Sequence, residues 1–316
     1  MQTRKLGRTG LEVPIIGLGA MFIGGPVTEG PREMDEELAA QTVIAGIEAG
    51  STFVDTAPGY GHLTSEHVIG RVFRERPGLA EIANVVTKTG APPSGKDYSY
   101  DGVLKQVEES LNRLGLDSID LISIHDAMGH PMEDVLDGAL RALRTLQDQG
   151  VVRNVGTAMN DPATNEPYIE TGEFDVAVVP NAWTLINRIA ERRIFPAAKK
   201  NNTGVLLATP FERGLLAKGT KSNAYFHRRS FSEACLAHVA GIEDLCKRHN
   251  VPLHAVALHY VLRHPQVSTV IPGARTPEEA TGNAKASEVE IPEALWNELE
   301  PQLRDWNAAE HRQVGL

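Results

Sequence analysis

The sequence predicts an α/β protein built as a (β/α)8 TIM barrel, with an N-terminal hairpin before the barrel and a C-terminal extension after it. Short apolar segments alternate with longer segments of helical pattern almost from end to end. Most of the apolar segments are continuous rather than alternating, as expected of parallel strands that are buried on both faces. Eight such units joined by short loops fit a closed barrel better than an open, doubly wound sheet.

The predicted strands follow one another at regular intervals along the chain. The hairpin before them is predicted from the Gly-Arg-Thr-Gly sequence at 7–10, which is typical of a tight turn and would place the hairpin across the bottom of the barrel. The segment after residue 291 is the predicted extension and is expected to pack beside the barrel. The strands are predicted, in chain order, at residues 13–18, 52–56, 84–88, 120–125, 152–157, 175–179, 204–209 and 267–272.

The first helices between these strands have recognisable ends. Glycines at 50, 115 and 150 stand where helices are expected to stop, in agreement with the preference of C-terminal caps for glycine. Asp101 is the predicted N-cap of the third helix, and its apolar residues repeat at helical spacing to form one face for the sheet. The helices are predicted at residues 36–49, 65–74, 101–114 and 133–149.

Length and composition are those of an ordinary globular protein. The 316 residues are 41% hydrophobic and 23% charged. Barrels of about 250 residues with insertions are commonly single domains, and no linker sequence marks a boundary, so we predict one domain over residues 1–316. No apolar stretch approaches the roughly 20 residues that span a bilayer, and the N-terminus lacks the apolar core of a signal peptide.

Charge and cysteine content limit which partners and which cellular compartment the sequence predicts. The formal net charge of -10 argues against a nucleic-acid binder, which needs clustered Lys and Arg. Cys235 and Cys246 lack metal-ligand spacing and are expected to be buried thiols. We therefore predict a cytoplasmic protein with no metal site and no nucleic-acid or membrane partner. The oligomeric state stays open.

Four residues with complementary chemistry stand where predicted strands end. Asp55, Tyr60, Lys88 and His125 each follow or close an apolar run that breaks into a turn. In a barrel of parallel strands the C-terminal strand ends converge on one mouth, where active sites lie. Each residue alone also has a structural interpretation, as a turn cap, a loop anchor, a solvated strand end or a core histidine. Their joint placement favours a proton-transfer site.

Several spaced motifs together resemble the aldo-keto reductases. They are Asp-Thr-Ala-Pro-Gly-Tyr-Gly at 55–61 with the Ser-Glu at 65–66, Val-Val-Thr-Lys at 85–88, the turn at 114–117 and Ile-Pro-Gly at 271–273. The resemblance runs from about residue 4 to about residue 290 and implies a barrel enzyme that moves hydride between a nicotinamide cofactor and a carbonyl or alcohol carbon. By the same resemblance Tyr60 is the proton donor or acceptor, Lys88 and Asp55 modify it, and His125 orients the substrate.

Physical chemistry supports these roles independently of the resemblance. A free tyrosine titrates near 10, too high for ready proton exchange at neutral pH. An adjacent ammonium stabilises the phenolate, and Lys88 is expected to lower the pKa of Tyr60 by about 1–3 units. Asp55 would keep Lys88 charged and aimed at the phenol. Glu66 is expected to open a helix or to form a structural pair rather than to react.

The expected cofactor site departs from the common pattern of the family. Many members place Ser-Asn after the fifth strand and a large aromatic after the seventh; here Met159-Asn160 and Ala208 stand there. These departures, together with Trp183-Thr184-Leu185 and His125-Asp126, look like the branch that contains D-threo-aldose 1-dehydrogenases, also called L-fucose or L-galactose dehydrogenases, and a pyridoxal-oxidising relative. The candidate cofactor-binding residues are Asn160, Arg213, Gly273, Arg275, Glu279 and Asn283.

The residues after the last strand favour NAD over NADP. Relatives that prefer NADP often carry a basic residue where Gly273 and Glu279 stand, and a carboxylate would repel a 2'-phosphate but accept a bond from a free 2'-hydroxyl. Two alternatives stay open. Glu279 stands three residues after Thr276 and fits a capping box, and Arg275 could meet a phosphate.

For the substrate pocket we predict Met21, His62 and Trp183, of which His62 could be merely exposed and Trp183 a core residue.

The sequence thus predicts an NAD-preferring aldose 1-dehydrogenase, with NADP possible, that oxidises a sugar hemiacetal to a lactone with Tyr60 as acid/base. A related polar aldehyde or alcohol such as pyridoxal is a further possible substrate. The first alternative is an NADPH-dependent aldehyde or ketone reductase with the same residues acting in reverse. The second, from another class, is a non-catalytic, cofactor-binding regulatory subunit.

Overall fold

Eight parallel strands surrounded by helices make up the fold, which was obtained as a computed structural model and is described for residues 1–25, 34–220 and 231–306. The barrel strands are hydrogen-bonded in chain order, from β3 to β10, with every neighbouring pair parallel. The strands are β1 (Thr3–Lys5), β2 (Glu12–Pro14), β3 (Leu18–Gly19), β4 (Phe53–Asp55), β5 (Asn84–Thr89), β6 (Ile119–His125), β7 (Val152–Ala158), β8 (Val176–Pro180), β9 (Gly204–Ala208) and β10 (Val267–Ile271).

The first and last barrel strands meet, which closes the sheet. Parallel bridges join Ile16 to Val270 and Gly19 to Gly273. The backbone nitrogens of Gly17 and Gly19 donate to the carbonyls of Val270 and Pro272 at 2.8 and 3.0 Å. The predicted barrel is therefore confirmed, and its carboxyl strand ends lie on one mouth.

The predicted first strand at 13–18 is wrong in its bounds. Val13 and Pro14 belong to the hairpin strand β2, which pairs antiparallel with β1, and the barrel strand β3 contains only Leu18 and Gly19. The apolar run is continuous because the two halves are buried on different surfaces, Val13 under the hairpin and Leu18 beneath α1. Hydropathy alone does not separate such a pair of segments.

The N-terminal hairpin packs against the amino end of the barrel, as predicted. Leu6 is fully buried and contributes to the same apolar cluster as the barrel interior. Gly7, with φ +50°, lies so close to β9 that a Cβ atom on it would be 2.2 Å from the backbone nitrogen of Gly204. Arg8 fastens the turn by donating to Asp175 Oδ1 at 2.8 Å and to the Gly172 carbonyl at 2.7 Å. The mouth at the opposite end is left for the chemistry.

The helices agree with the predicted bounds to within two residues, with two differences. Ser99, not Asp101, is the N-cap of α4, and its hydroxyl accepts from the Gly102 nitrogen. The helix predicted at 133–149 is interrupted by a π-helical segment at Leu136–Leu140. The helices are α1 (Glu36–Glu48), α2 (Thr64–Glu75), α3 (Pro77–Ile82), α4 (Tyr100–Leu114), α5 (Met132–Val135), α6 (Arg141–Asp148), α7 (Pro162–Glu170), α8 (Ile189–Arg192), α9 (Ile194–Asn201), α10 (Leu215–Lys218), α11 (Glu233–Arg248), α12 (Leu253–Leu262), α13 (Pro277–Ala286) and α14 (Glu293–Leu299).

The C-terminal extension packs beside the barrel, as expected. Trp296 of α14 is buried, and the guanidinium carbon of Arg263 lies 4.5 Å from its ring centroid. Further along, the backbone nitrogen of Trp306 donates to the Ile186 carbonyl at 2.9 Å. Asp305 Oδ1 accepts from the backbone nitrogen of Arg188 at 2.9 Å. The extension therefore holds the loop that follows β8.

Alternation along the strands decides which side chains reach the mouth. Phe53, Val86 and Leu121 belong to the apolar cluster inside the barrel. Because side chains alternate between the two faces of a strand, the residues two positions after Phe53 and Val86 also face inward, and so does the residue four positions after Leu121. These are Asp55, Lys88 and His125. The predicted site residues thus lie in the layer nearest the mouth.

A buried ion pair supports the helix that follows the site. Glu66 of α2 is fully buried, accepts from Thr87 Oγ1 at 2.6 Å and pairs with Arg113 Nε at 2.7 Å. The bonds connect α2 with β5 and α4. The expected structural role of Glu66 is confirmed by these contacts.

Candidate active site

Lys88 and Asp55 form a buried ion pair at the centre of the site. The Lys88 ammonium donates to Asp55 Oδ1 at 2.7 Å and to the Thr56 carbonyl at 2.8 Å. The two side chains are only 2% and 5% exposed. Burial alone would lower the pKa of Lys88, but the Asp55 carboxylate and the Tyr60 ring outweigh it and raise that pKa. Lys88 therefore stays charged at neutral pH, which is what a residue that stabilises a phenolate requires.

Tyr60 lies next to this pair on the turn between β4 and α2. The Lys88 Nζ atom is 4.7 Å from the centroid of the Tyr60 ring. The turn is unusual because Gly61, His62 and Leu63 all have positive φ, at +57°, +50° and +79°. Left-handed conformations are uncommon for residues with a Cβ and cluster at functional sites. The strained turn fixes the direction in which the chain leaves Tyr60.

The expected lowering of the Tyr60 pKa is wrong. Burial of the phenol outweighs the Lys88 ammonium, and the Asp55 and Asp126 carboxylates add to its effect, so the pKa of Tyr60 is raised above its ordinary value. The sequence showed the nearby ammonium but not the loss of hydration. At neutral pH Tyr60 is therefore a neutral phenol, ready to donate a proton.

His125 faces Tyr60 from the end of β6. The two rings are perpendicular, with centroids 6.4 Å apart. The His125 Nδ1 atom is buried and has no hydrogen-bond partner among the described residues. Burial, only partly offset by Asp126, lowers the pKa of His125 to about 4. A neutral imidazole can either donate to or accept from a substrate oxygen, depending on its tautomer.

We expect the imidazole of His125 to stay neutral down to about pH 5, because its buried charged form is poorly hydrated. An NMR titration of the histidine ring protons should show one resonance that moves only near pH 4, whereas an unperturbed histidine titrates near 6.5. The His125→Gln variant, which lacks that resonance, assigns it. A midpoint at or above 6.5 would contradict the neutral state.

Tyr98 connects the turn that follows β5 with the end of β6, next to Lys88 and His125, and sequence reasoning missed this role. Its hydroxyl donates to the His125 carbonyl at 2.7 Å. A Cβ atom on Gly90, just after β5, would be 2.2 Å from the Tyr98 ring. Gln106 completes the connection by accepting from the Gly90 nitrogen at 2.6 Å. No spacing in the sequence relates residue 98 to residue 125, since the contact depends on the path of the loop.

The candidate cofactor-binding residues follow later strands of the barrel at the same mouth. Asn160 follows β7, Arg213 follows β9, and Gly273 follows β10. Asn160 is exposed, but its side-chain amide is already bonded to both carboxylate oxygens of Asp126 at 2.9 Å. Asn283 is buried and its amide is 3.4 Å from the Gly273 carbonyl.

Arg275 and Glu279 form a close pair at the start of α13. The Glu279 carboxylate accepts from the Arg275 backbone nitrogen at 2.9 Å and from Arg275 Nε at 3.1 Å, with a further bond to the guanidinium. Thr276 caps the helix by accepting from the Glu279 nitrogen at 3.3 Å. The expected capping box is therefore only half formed, because the carboxylate bonds one residue earlier than the cap. Hydrogen bonds from Arg275 overcome the effect of burial and lower the pKa of Glu279.

Of the three predicted pocket residues, Trp183 does not lie in the pocket. Its ring is 5% exposed and packs in the core, stacked on Tyr260 and edge-on to Phe195, each at 5.3 Å. The large apolar ring is held between α9 and α12, so Trp183 is a core residue and not a wall of the pocket. Met21 is half-buried and His62 is exposed. Both lie at the mouth, after β3 and β4.

The comparison with known proteins agrees with this geometry. The sequence model of the aldo/keto reductase family matches residues 15–302. The chain belongs to this family. It is therefore an NAD(P)-dependent oxidoreductase, and the resemblance inferred from the motifs is confirmed.

Two named enzymes and one solved structure are similar to this chain. Pyridoxal 4-dehydrogenase of Microbacterium luteolum is 29% identical, covering 94% of this chain and 96% of the relative. D-threo-aldose 1-dehydrogenase of a Pseudomonas species is 30% identical, covering 92% and 94%. The holo form of an aldo-keto reductase from Bacillus halodurans superposes with a TM-score of 0.81 at 24% identity, covering 97% of each chain. The last comparison supports the fold alone.

The residues at the mouth fit a nicotinamide dinucleotide. Arg213 and the start of the ten-residue helix α13 would supply donors for its phosphates, although Glu278 and Glu279 in the first turn of that helix lower the positive potential there. Ala208, small and only half-buried at the inner end of β9, leaves room above the barrel interior. The Asn160 side-chain carbonyl, whose amide nitrogen is bonded to Asp126, would accept from the carboxamide. Within the described residues no cluster of metal ligands is present, and no helix among them has both the length and the apolarity to cross a membrane.

Proposed function

We propose that this aldo/keto reductase is an NAD-preferring dehydrogenase that oxidises the anomeric carbon of an aldose, or a similarly polar substrate such as pyridoxal. The observation that carries the redox chemistry is the Lys88 ammonium, held by Asp55 beside the ring of Tyr60. The two named dehydrogenases among the relatives support the choice of substrate class.

Each residue of the site contributes one part of the proton chemistry. In oxidation the substrate hydroxyl transfers its proton to the Tyr60 phenolate, and Lys88 stabilises that phenolate before the transfer. His125, neutral and half-buried, forms a hydrogen bond with the same substrate oxygen and so fixes the direction from which the substrate approaches. Asp55 keeps the ammonium charged and in place. A nicotinamide cofactor, when bound at the mouth, would supply the acceptor for the hydride that leaves the substrate carbon.

One observation favours the reverse reaction as the second candidate. The raised pKa of Tyr60 leaves the phenol protonated at neutral pH, which suits proton donation to a carbonyl that is being reduced. Oxidation then requires loss of this proton, so its rate should rise with pH. Reduction should be favoured towards neutral pH with the same residues.

The preference for NAD is supported by the charge balance at the start of α13. Arg275 is the cation that a 2'-phosphate would need, but it is already paired with Glu279. A second cation, Lys218, lies 3.9 Å from the same carboxylate. A 2'-phosphate would therefore meet an occupied arginine and a carboxylate, whereas the uncharged 2'-hydroxyl of NAD could donate to Glu279.

Initial rates of aldose and pyridoxal oxidation with each cofactor test the proposal, and kcat/KM is expected to be higher with NAD. In the Glu279→Gln variant Arg275 loses its anionic partner. The ratio of kcat/KM for NADP to that for NAD should then rise about tenfold, the factor that corresponds to the free energy of one hydrogen bond to a charged group. Glu278→Gln, with the same charge change at an exposed neighbour, is the matched control. A wild-type preference for NADP, or an equal shift in both variants, would reject the cofactor assignment.

A further inference from the structure

The carboxylate of Asp126 lies at the mouth beside His125, and the aldo/keto reductase proton site does not account for it. Asp126 follows β6 directly, and its Oδ2 atom is 3.6 Å from His125 Nε2. The charge lies close enough to raise the pKa of Tyr60. The side chain is 23% exposed, so it is accessible from the mouth but largely removed from bulk water.

The chain holds Asp126 in this place at a conformational cost. Its φ is +50°, a left-handed conformation that Asp and Asn tolerate better than other residues with a Cβ. Three contacts fix the residue: its nitrogen donates to the Ala158 carbonyl at 3.0 Å, its own carbonyl accepts from Lys96 Nζ at 2.7 Å, and Asn160 bonds its side chain. A rare conformation fixed by three independent contacts next to a reactive group indicates a function.

The carboxylate has hydrogen-bonding capacity to spare. A carboxylate has about four acceptor positions, and among the described residues the side chain of Asp126 is bonded only by the backbone and side-chain nitrogens of Asn160. The 3.6 Å separation from His125 is longer than a hydrogen bond. No Lys or Arg nitrogen in the described ranges lies within 4 Å of the Asp126 carboxylate oxygens; Lys96 bonds only the backbone carbonyl. A partly desolvated anion without a cationic partner is a strong acceptor for hydroxyl groups.

We infer that Asp126 binds the hydroxyl group on the carbon next to the reacting carbon, and so selects 2-hydroxy carbonyl compounds and sugars over plain aldehydes. When the reacting oxygen lies between Tyr60 and His125, a hydroxyl on the adjacent carbon comes within reach of the Asp126 carboxylate, because Asp126 Oδ2 is only 3.6 Å from His125 Nε2. The inference rests on the proposed function for the position of the reacting oxygen. It adds the substrate class that the site selects.

The test compares two substrates that differ only in this hydroxyl, lactaldehyde and propanal, reduced with NADH. The wild-type protein should have the higher kcat/KM for lactaldehyde. In Asp126→Asn, which keeps the size and tolerates the left-handed conformation, the ratio of the two kcat/KM values should fall about 10- to 100-fold, the weight of a hydrogen bond to a charged group. Both substrates report on the same molecules, so partial loss of folded protein does not change the ratio.

Asp137→Asn is the matched control, since the Asp137 side chain is 84% exposed and lies outside the site. An unchanged ratio in Asp126→Asn, with both substrates slowed equally, would overturn the inference and show that Asp126 only positions its neighbours. A wild-type protein indifferent to the hydroxyl would overturn it too. Aldose oxidation is measured in the same series: if it is absent while the lactaldehyde ratio falls as expected, the aldose proposal fails and the selection by Asp126 stands.

Discussion

Replacing Tyr60 with phenylalanine is expected to lower kcat by about 10²- to 10⁴-fold, the usual contribution of a positioned acid/base. The variant keeps the ring that packs near the Lys88 ammonium and removes only the hydroxyl. The aldo/keto reductase should therefore fold and still bind cofactor. Steady-state oxidation and reduction rates, together with fluorescence titration of NADH binding, separate lost chemistry from lost binding.

Tyr168→Phe is the matched control for this experiment. The Tyr168 hydroxyl is buried and has no hydrogen-bond partner within the described part of the chain, so its loss should leave kcat unchanged. In the wild-type protein, oxidation should rise with pH into the alkaline range, because burial raises the pKa of Tyr60 and the phenolate forms late. Full turnover by Tyr60→Phe would exclude Tyr60 as the acid/base.

The parts of the site that the sequence predicted are those that depend on strand register. Asp55, Lys88 and His125 share the inward face of three neighbouring strands, and each continues the alternation of an apolar residue inside the barrel. Alternation is a local property and can be read from one sequence. The meeting of the residues at one mouth then follows from the parallel arrangement.

The parts that the sequence did not predict depend on contacts between distant segments. Tyr98 reaches the His125 carbonyl across two loops, and Trp183 fills a space between α9 and α12 that exists only after the helices have packed. The pKa of Tyr60 belongs to the same class, because desolvation is a property of the whole environment. In each case long-range packing overrides a local pattern.

Replacing Lys88 with methionine should remove nearly all activity and also destabilise the protein. Methionine fills a similar volume but leaves the Asp55 carboxylate buried without its cation. Breaking a buried ion pair in this way costs about 3–5 kcal/mol in the free energy of unfolding. Urea denaturation measures this loss, and kcat measures the loss of chemistry. Arg76→Met, which removes an exposed partner of Glu48, is the control and should change stability by less than about 1 kcal/mol.

The double variant Asp55→Asn/Lys88→Met separates the two effects of Lys88. Without either charge, no unpaired ion remains buried, so the free energy of unfolding should recover by more than half relative to Lys88→Met. Activity should not recover, because the ammonium that stabilises the Tyr60 phenolate is still missing. Recovery of both would show that Lys88 contributes only to folding. Recovery of neither would show that the loss of stability comes from poor packing of the methionine or from polar groups left unpaired, such as the Thr56 carbonyl, and not from the buried charge.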